Sequence, residues 1–220
     1  MVRDISLVIL FLLMPYIALT QVDSVRYVKY GHGVRFRSGL YLYHKQLVEN
    51  KPVPISRIVS KYNKSSFDFF EKILSEKKIL FFDEFGIKKY INTDELWGFC
   101  RRGAVYINWE GNFNRISVIG RVSHFIAPVT IYEDNYNSGF GNSFYGTPST
   151  TTRTDMYQFI LIFETGEVLD YSVANILEFL KSDSKLYKEY SELNKRNKKR
   201  MKFFYIRKFN EAHPIYIPIK

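Results

Sequence analysis

A catalytic metal needs about three convergent His, Cys, Asp or Glu ligands. The four histidines, His32, His44, His124 and His213, are scattered along the chain, with no pair at i, i+4 and no His-Glu-x-x-His. Cys100 with His124 is the only thiol–imidazole pairing the chain can make. Thiolate chemistry would require the two to be adjacent in space and Cys100 to be partly exposed, whereas a cysteine between Phe99 and an Arg101-Arg102-Gly103 turn reads as a buried strand residue. The acidic pairs Asp83-Glu84, Asp94-Glu95 and Glu133-Asp134 could supply the two carboxylates of a glycoside hydrolase, which stand about 5 to 9.5 Å apart across a cleft. Residues Glu133 to Gly139 resemble a calcium loop, yet Tyr136 and Ser138 stand where an EF-hand frame wants an oxygen ligand or glycine. There is no Gly-x-Ser-x-Gly elbow and no phosphate-binding glycine loop, and Gly139, Gly141 and Gly146 have the wrong spacing for a dinucleotide fingerprint. No catalytic residue, metal or cofactor is therefore expected, and the reading leans away from an enzyme.

Two features point instead to binding. The net charge of +10 is concentrated near the end of the chain: residues 181 to 220 hold twelve Lys and Arg against four Asp and Glu. The densest stretch includes Lys195, Arg196, Lys198, Lys199, Arg200 and Lys202. Such a run is either a solvated helix face or a contact for an anionic envelope component such as phospholipid headgroups or acidic glycan. Nucleic acid is the weaker expectation, because no recognised nucleic-acid-binding motif accompanies the charge. The second feature is aromatic. Tyr136, Phe140, Phe144 and Tyr145 lie in a stretch, Glu133 to Arg153, that is rich in Asn, Gly, Ser and Thr, and exposed loop aromatics stack on sugars or dock proteins at low entropic cost.

These residues need a scaffold, and composition provides for one. With 220 residues and 46% hydrophobic content a packed core forms without staples, and one cysteine excludes an intramolecular disulfide framework. Residues 22 to 43 read as one or two strands, His44 to Asn50 as a short helical candidate stopped by Pro52 and Pro54, and Phe69, Phe70, Ile73 and Leu74 as one face of a helix near 66–77. Strands are expected at Ile79 to Phe82, Leu96 to Cys100 and Ala104 to Asn108, the last two joined through Arg-Arg-Gly, and again within Asn114 to Thr130. Met156 to Phe163 returns through a hairpin to Val168–Tyr171, and Glu133 to Arg153 is expected to be a long exposed excursion. Val173, Ile176, Leu177 and Leu180 form an amphipathic helix behind a Ser172 cap, and a second, longer one follows Ser182-Asp183-Ser184 and stops before His213-Pro214. The expected fold is α+β: an antiparallel sheet core of five to eight strands, one helix in the N-terminal half and two C-terminal helices spanning 172–212.

Residues 1–20 carry Arg3, the apolar run Leu7 to Met14, Pro15 and the small residues Ala18 and Thr20 before Gln21. This is the layout of a cleaved secretory signal peptide, with a retained anchor as the alternative. The expected mature chain, 21–220, is a single domain without a transmembrane segment, periplasmic or secreted. Four stretches, Gly39-Leu40-Tyr41-Leu42 with Asn50-Lys51-Pro52, Leu96 to Cys100, Phe113 to Ile116 through Ile119-Gly120 to His124-Phe125, and Tyr205 to Pro214, together resemble an uncharacterised family of exported bacterial proteins, a domain of unknown function. The family's usual Thr after Gly-x-Tyr-Leu is Tyr43 here. The resemblance implies export and one domain, and no activity. The leading expectation is a non-enzymatic envelope or secreted binding protein. The alternatives are a secreted hydrolase whose site is assembled from strand ends, and a structural subunit of an envelope assembly, which would show a large exposed apolar patch on a helix face.

Overall fold

In a computed structural model the chain is described over residues 25–31, 33–135 and 149–219. The strands are β1 (Arg26–Lys29), β2 (Gly39–Tyr41), β3 (Val53–Pro54), β4 (Ile58–Val59), β5 (Lys78–Phe82), β6 (Lys88–Asn92), β7 (Gly98–Arg101), β8 (Ala104–Trp109), β9 (Asn112–Val118), β10 (Val122–Asn135), β11 (Ser149–Ile162), β12 (Val168–Asp170) and β13 (Tyr216–Ile219). The helices are α1 (His44–Val48), α2 (Phe69–Leu74), α3 (Val173–Leu180), α4 (Ser184–Ser191) and α5 (Lys195–Ala212). The α+β class with an antiparallel sheet core stands. Eight strands lie in the order β12-β11-β10-β9-β8-β7-β2-β3, β4-β5-β6 form a second sheet, and β1 pairs with β13.

Side chains on successive strand residues point to opposite faces, and the sheet uses both. Phe125, Ala127, Phe159 and Leu161 join Tyr41, Cys100, Val105 and Ile107 in one core with Phe36, Leu47, Ile215 and Ile217. On the other face Val122 and Ile160 pack beneath α3, α4 and α5 through Ile176, Leu180, Leu186, Tyr190, Ile206 and Phe209. Further along that face Leu40 and Phe99 pack with Phe69, Phe70 and Ile73 of α2 and Ile79 and Phe81 of β5. The two ends of the sheet approach one another: Phe36, just before β2, has its ring 6.2 Å from that of Phe163, just after β11. A Cβ added at Gly166, in the β11–β12 turn, would lie 2.7 Å from the ring of His44.

Three expectations are corrected. The long C-terminal helix is two helices, because Asn194 Oδ1 accepts from the Asn197 amide and starts α5 afresh. An unbroken helix over residues 184–212 would run about 43 Å, too long to return Tyr205, Ile206 and Phe209 to the Val122 face. Three helices therefore follow β12 instead of two, while α1, between β2 and β3, is the short helix expected from His44. The helix near 66–77 is shorter than expected, Phe69–Leu74. The excursion Glu133 to Arg153 is strand at both ends, since β10 continues to Asn135 and β11 begins at Ser149. β-Branched threonines suit a pleated surface, and Thr150 to Thr154 pair with Asp134 to Thr130. β9 pairs with β10 at His124 and Phe125, and β12 with β11 from Phe159 to Leu161. From Ile126–Gln158 outward the two long strands form a ribbon.

Candidate functional site

A set of polar and titratable side chains from several elements surrounds His124. At this point Val118 and Ile116 of β9 face His124 and Phe125 of β10, which leaves Ser117 as the extra residue of a β-bulge. Ser117 Oγ lies 3.0 Å from His124 Nδ1, and Gln158 Oε1 of β11 lies 3.1 Å from Nε2. The rings of Tyr171 and Phe203 close over the imidazole at 5.0 and 5.4 Å. Lys202 Nζ sits 3.8 Å from the centre of the Tyr171 ring and donates to the Tyr171 carbonyl. His124 is buried, while Ser117 and Gln158 are exposed.

A hydroxyl against an imidazole is the geometry of an activated nucleophile, so the protonation states decide what it can do. A neutral imidazole donates from one nitrogen and accepts at the other. Gln158 Oε1 can only accept, so Nε2 carries the proton and Nδ1 is the acceptor, sharing the one Ser117 hydroxyl proton with the His124 carbonyl oxygen, 3.1 Å from Ser117 Oγ. Burial holds His124 below its ordinary value of 6.5, Lys202 pushes it the same way, and the Gln158 hydrogen bond opposes both. Lys202 is itself depressed by burial and by Lys199. In a Ser-His-Asp triad the histidine becomes imidazolium beside a carboxylate. Here the third member is a neutral amide and the neighbour is a cation, so the charged intermediate is opposed rather than supported. The arrangement satisfies both ring nitrogens of a buried histidine.

Cys100 and His124 are not brought together. Cys100 Sγ is fully buried against the Phe36 carbonyl, and its thiol is pushed up to about 11 by burial, the state of an inert core cysteine. One member of each acidic pair is engaged structurally: Asp83 Oδ1 accepts from the amides of Phe85 and Ile87 while Lys89 Nζ stands 2.8 Å from Oδ2. Glu95 accepts from Asn92, and Glu133 pairs with Arg153 at 3.5 Å. Among the described residues no group of three or more His, Cys, Asp or Glu could hold a metal ion. Tyr106 and Trp109 are packing residues: Tyr106 stacks on Phe99 at 4.5 Å and Trp109 lies 5.2 Å from Phe159. Tyr136, Phe140, Phe144 and Tyr145 lie outside the described residues, as do His32 and residues 1–20.

The basic residues of α5 separate by position. Lys202 turns inward onto Tyr171, and Lys198 is half-buried with its carbonyl accepting from the Tyr190 hydroxyl at 2.8 Å. Lys195, Arg196, Lys199 and Arg200 are exposed. At 100° per residue those four, spaced i, i+1, i+4 and i+5, share one side of the helix. Sequence reasoning distributed this charge around the whole helix; only the inward turn of Lys202 and Lys198 shows that the rest face one way. The Ser117–His124 contact was missed because it depends on a bulge, and its one sequence signal was the Ile119-Gly120-Arg121 turn that folds β9 onto β10.

No protein-family model matches this chain, and neither the curated proteins nor the solved structures contain a match.

Proposed function

We propose that this chain is an exported, non-enzymatic binding protein of the envelope or the secreted fraction, and that it docks on an anionic envelope component through the exposed side of α5. The observation that carries this reading is the set Lys195, Arg196, Lys199 and Arg200: exposed, on one side of a helix, and without an ion-pair partner among the described residues. They crowd the first turns of α5, which contain no acidic residue. A helix N-terminus already carries positive partial charge, so cations there are unfavourable by some tenths of a kcal/mol each. An anionic surface relieves that repulsion, and a solvated face does not need to gather it. The export half of the reading is supported by the apolar run Leu7 to Met14 and the small residues before Gln21.

The test is sedimentation of the full chain with vesicles of phosphatidylglycerol and phosphatidylcholine at two ionic strengths. Near an anionic membrane each basic residue is worth about 1 kcal/mol. The quadruple substitution Lys195→Glu, Arg196→Glu, Lys199→Glu and Arg200→Glu is therefore expected to weaken binding by more than about a hundredfold. Binding of the wild-type chain is expected to fall as salt rises from low to physiological strength. Equal binding to purely zwitterionic vesicles, or indifference to salt and to the four substitutions, overturns the reading.

A further inference from the structure

A second basic site lies on other elements. Arg35, from the segment before β2, Arg102, from the β7–β8 turn, and Arg115, from β9, all line one open concavity of about 370 Å³ with Tyr30, Gly31, Gly33, Val34, Gly103 and Ala104. Among the described residues no carboxylate lines it. None of the three guanidiniums is ion-paired among the described residues. The aliphatic stem of Arg35 lies across Gly103, where an added Cβ would meet it at 3.0 Å, so glycine is what lets the two segments close on one another. The Arg102 guanidinium stands over the Phe67 ring, 5.9 Å from its centre.

Three arginines from three separate segments line one hollow, and like charges held near one another repel. A guanidinium offers a planar fork of donors that matches the oxygens of phosphate, sulfate or carboxylate. Three forks exceed what one carboxylate can accept and suit a dianionic tetrahedral group. The volume falls in the range of small-molecule clefts, roughly 300 to 1,000 Å³, and so leaves space for an organic body beside the charged head, with Tyr30 as the aromatic wall. We propose that this concavity binds a phosphate or sulfate monoester, with Arg35, Arg102 and Arg115 holding the tetrahedral head. The site is independent of α5, so either reading can fail without the other.

The experiment is a titration of the full chain, followed by calorimetry and by amide chemical shifts, with inorganic phosphate, phenyl phosphate and phosphatidic-acid vesicles in low-chloride buffer. Saturable binding is expected, with amide shifts confined to Gly31, Gly33, Gly103 and their neighbours. Phenyl phosphate tighter than inorganic phosphate identifies a soluble monoester, and binding of the vesicles alone identifies a lipid headgroup; both carry the same recognition chemistry. Arg102→Lys with Arg115→Lys keeps the charge and removes the forks, and is expected to weaken binding by at least about tenfold. Arg102→Gly separates function from folding. Arg102 has φ 53°, a left-handed conformation that glycine adopts freely, so this variant is expected to unfold at higher denaturant while losing phosphate affinity. The quadruple α5 variant is expected to bind phosphate as the wild type does. Absence of saturable binding to all three probes, or arginine variants that bind like the wild type, overturns the proposal.

Discussion

His124 is surrounded from four sides: Ser117 of β9, Gln158 of β11, Tyr171 beyond β12, and Lys202 and Phe203 of α5. Every one of these neighbours is neutral or cationic, so a second proton on the ring has nothing to pair with. Burial lowers both His124 and His44 from 6.5. In the window below 6.5 the unfolded chain consequently binds more protons at these two rings than the folded chain does, and folding stability rises with pH. The contribution is complete above the unfolded value and is lost as pH falls through the window. Urea midpoints are expected to be lower at about pH 5 than at about pH 7.5. His124→Gln, which cannot titrate, is expected to remove part of that slope. An unchanged slope in this variant, measured in the same buffers, would show that the ring takes its proton freely and that its enclosure is looser than described. Asp183 has the same sign in a lower window: the Leu186 amide and then His213 hold its carboxyl below 3.8, so its contribution is lost only as pH falls below that value.

At the scale of elements, one side chain fastens the helical layer to the sheet. Asn210 of α5 accepts from the Val122 amide through Oδ1 at 2.9 Å and donates to the Val122 carbonyl through Nδ2 at 2.8 Å. It thus replaces the ladder partner that the start of β10 lacks. The approach is close enough that a Cβ at Gly120 would fall 2.3 Å from Asn210 Cγ. Asn210→Ala strands an amide and a carbonyl, and is expected to lower stability by about 2–4 kcal/mol, with faster hydrogen exchange at Val122; Asn210→Asp, which still accepts, is expected to lose less. The sequence showed α3 through its i, i+3, i+4, i+7 spacing and the β7–β8 hairpin through Arg102-Gly103, because both signals are local. It did not show β6, whose Lys88-Lys89-Tyr90 begins on an exposed outer strand with no alternation to read. The ribbon was hidden in a threonine-rich stretch that reads as loop, since β propensity is settled by cross-strand partners such as Thr130 opposite Thr154. The Asn194 break was hidden because α4 and α5 continue one apolar seam, and only packing decides where that seam must turn. The four exposed α5 cations were legible as part of a basic run, while their common side was a property of the fold.

At the scale of the whole molecule, the ends of the described chain are tied together. β1 and β13 pair from Arg26–Ile219 to Lys29–Tyr216, a contact across nearly the full length that no local pattern announces. Its inner residues are not decoration, because Ile217 is fully buried in the core that holds Phe36, Cys100, Phe125 and Phe159. Asn50, buried after α1, donates to the Pro218 carbonyl at 3.1 Å while its Oδ1 accepts from the Arg37 amide at 2.8 Å. Ile217→Ala opens a cavity on one face of the large sheet and is expected to destabilise by about 2–5 kcal/mol. The informative readout is which layer unfolds. The sheet is shared by that core and by the helical layer above Val122 and Ile160, so if residues 21–220 behave as one domain, loss on one face must loosen the other. Indole fluorescence from Trp97 and Trp109, both packed against the Ile217 core, reports the first face, and helical circular dichroism reports the second. In a single cooperative unit the two transitions coincide and shift together in the variant. Helical signal that holds its midpoint while the fluorescence transition moves would divide the molecule into two units, with α3 to α5 standing apart from the sheet they cover.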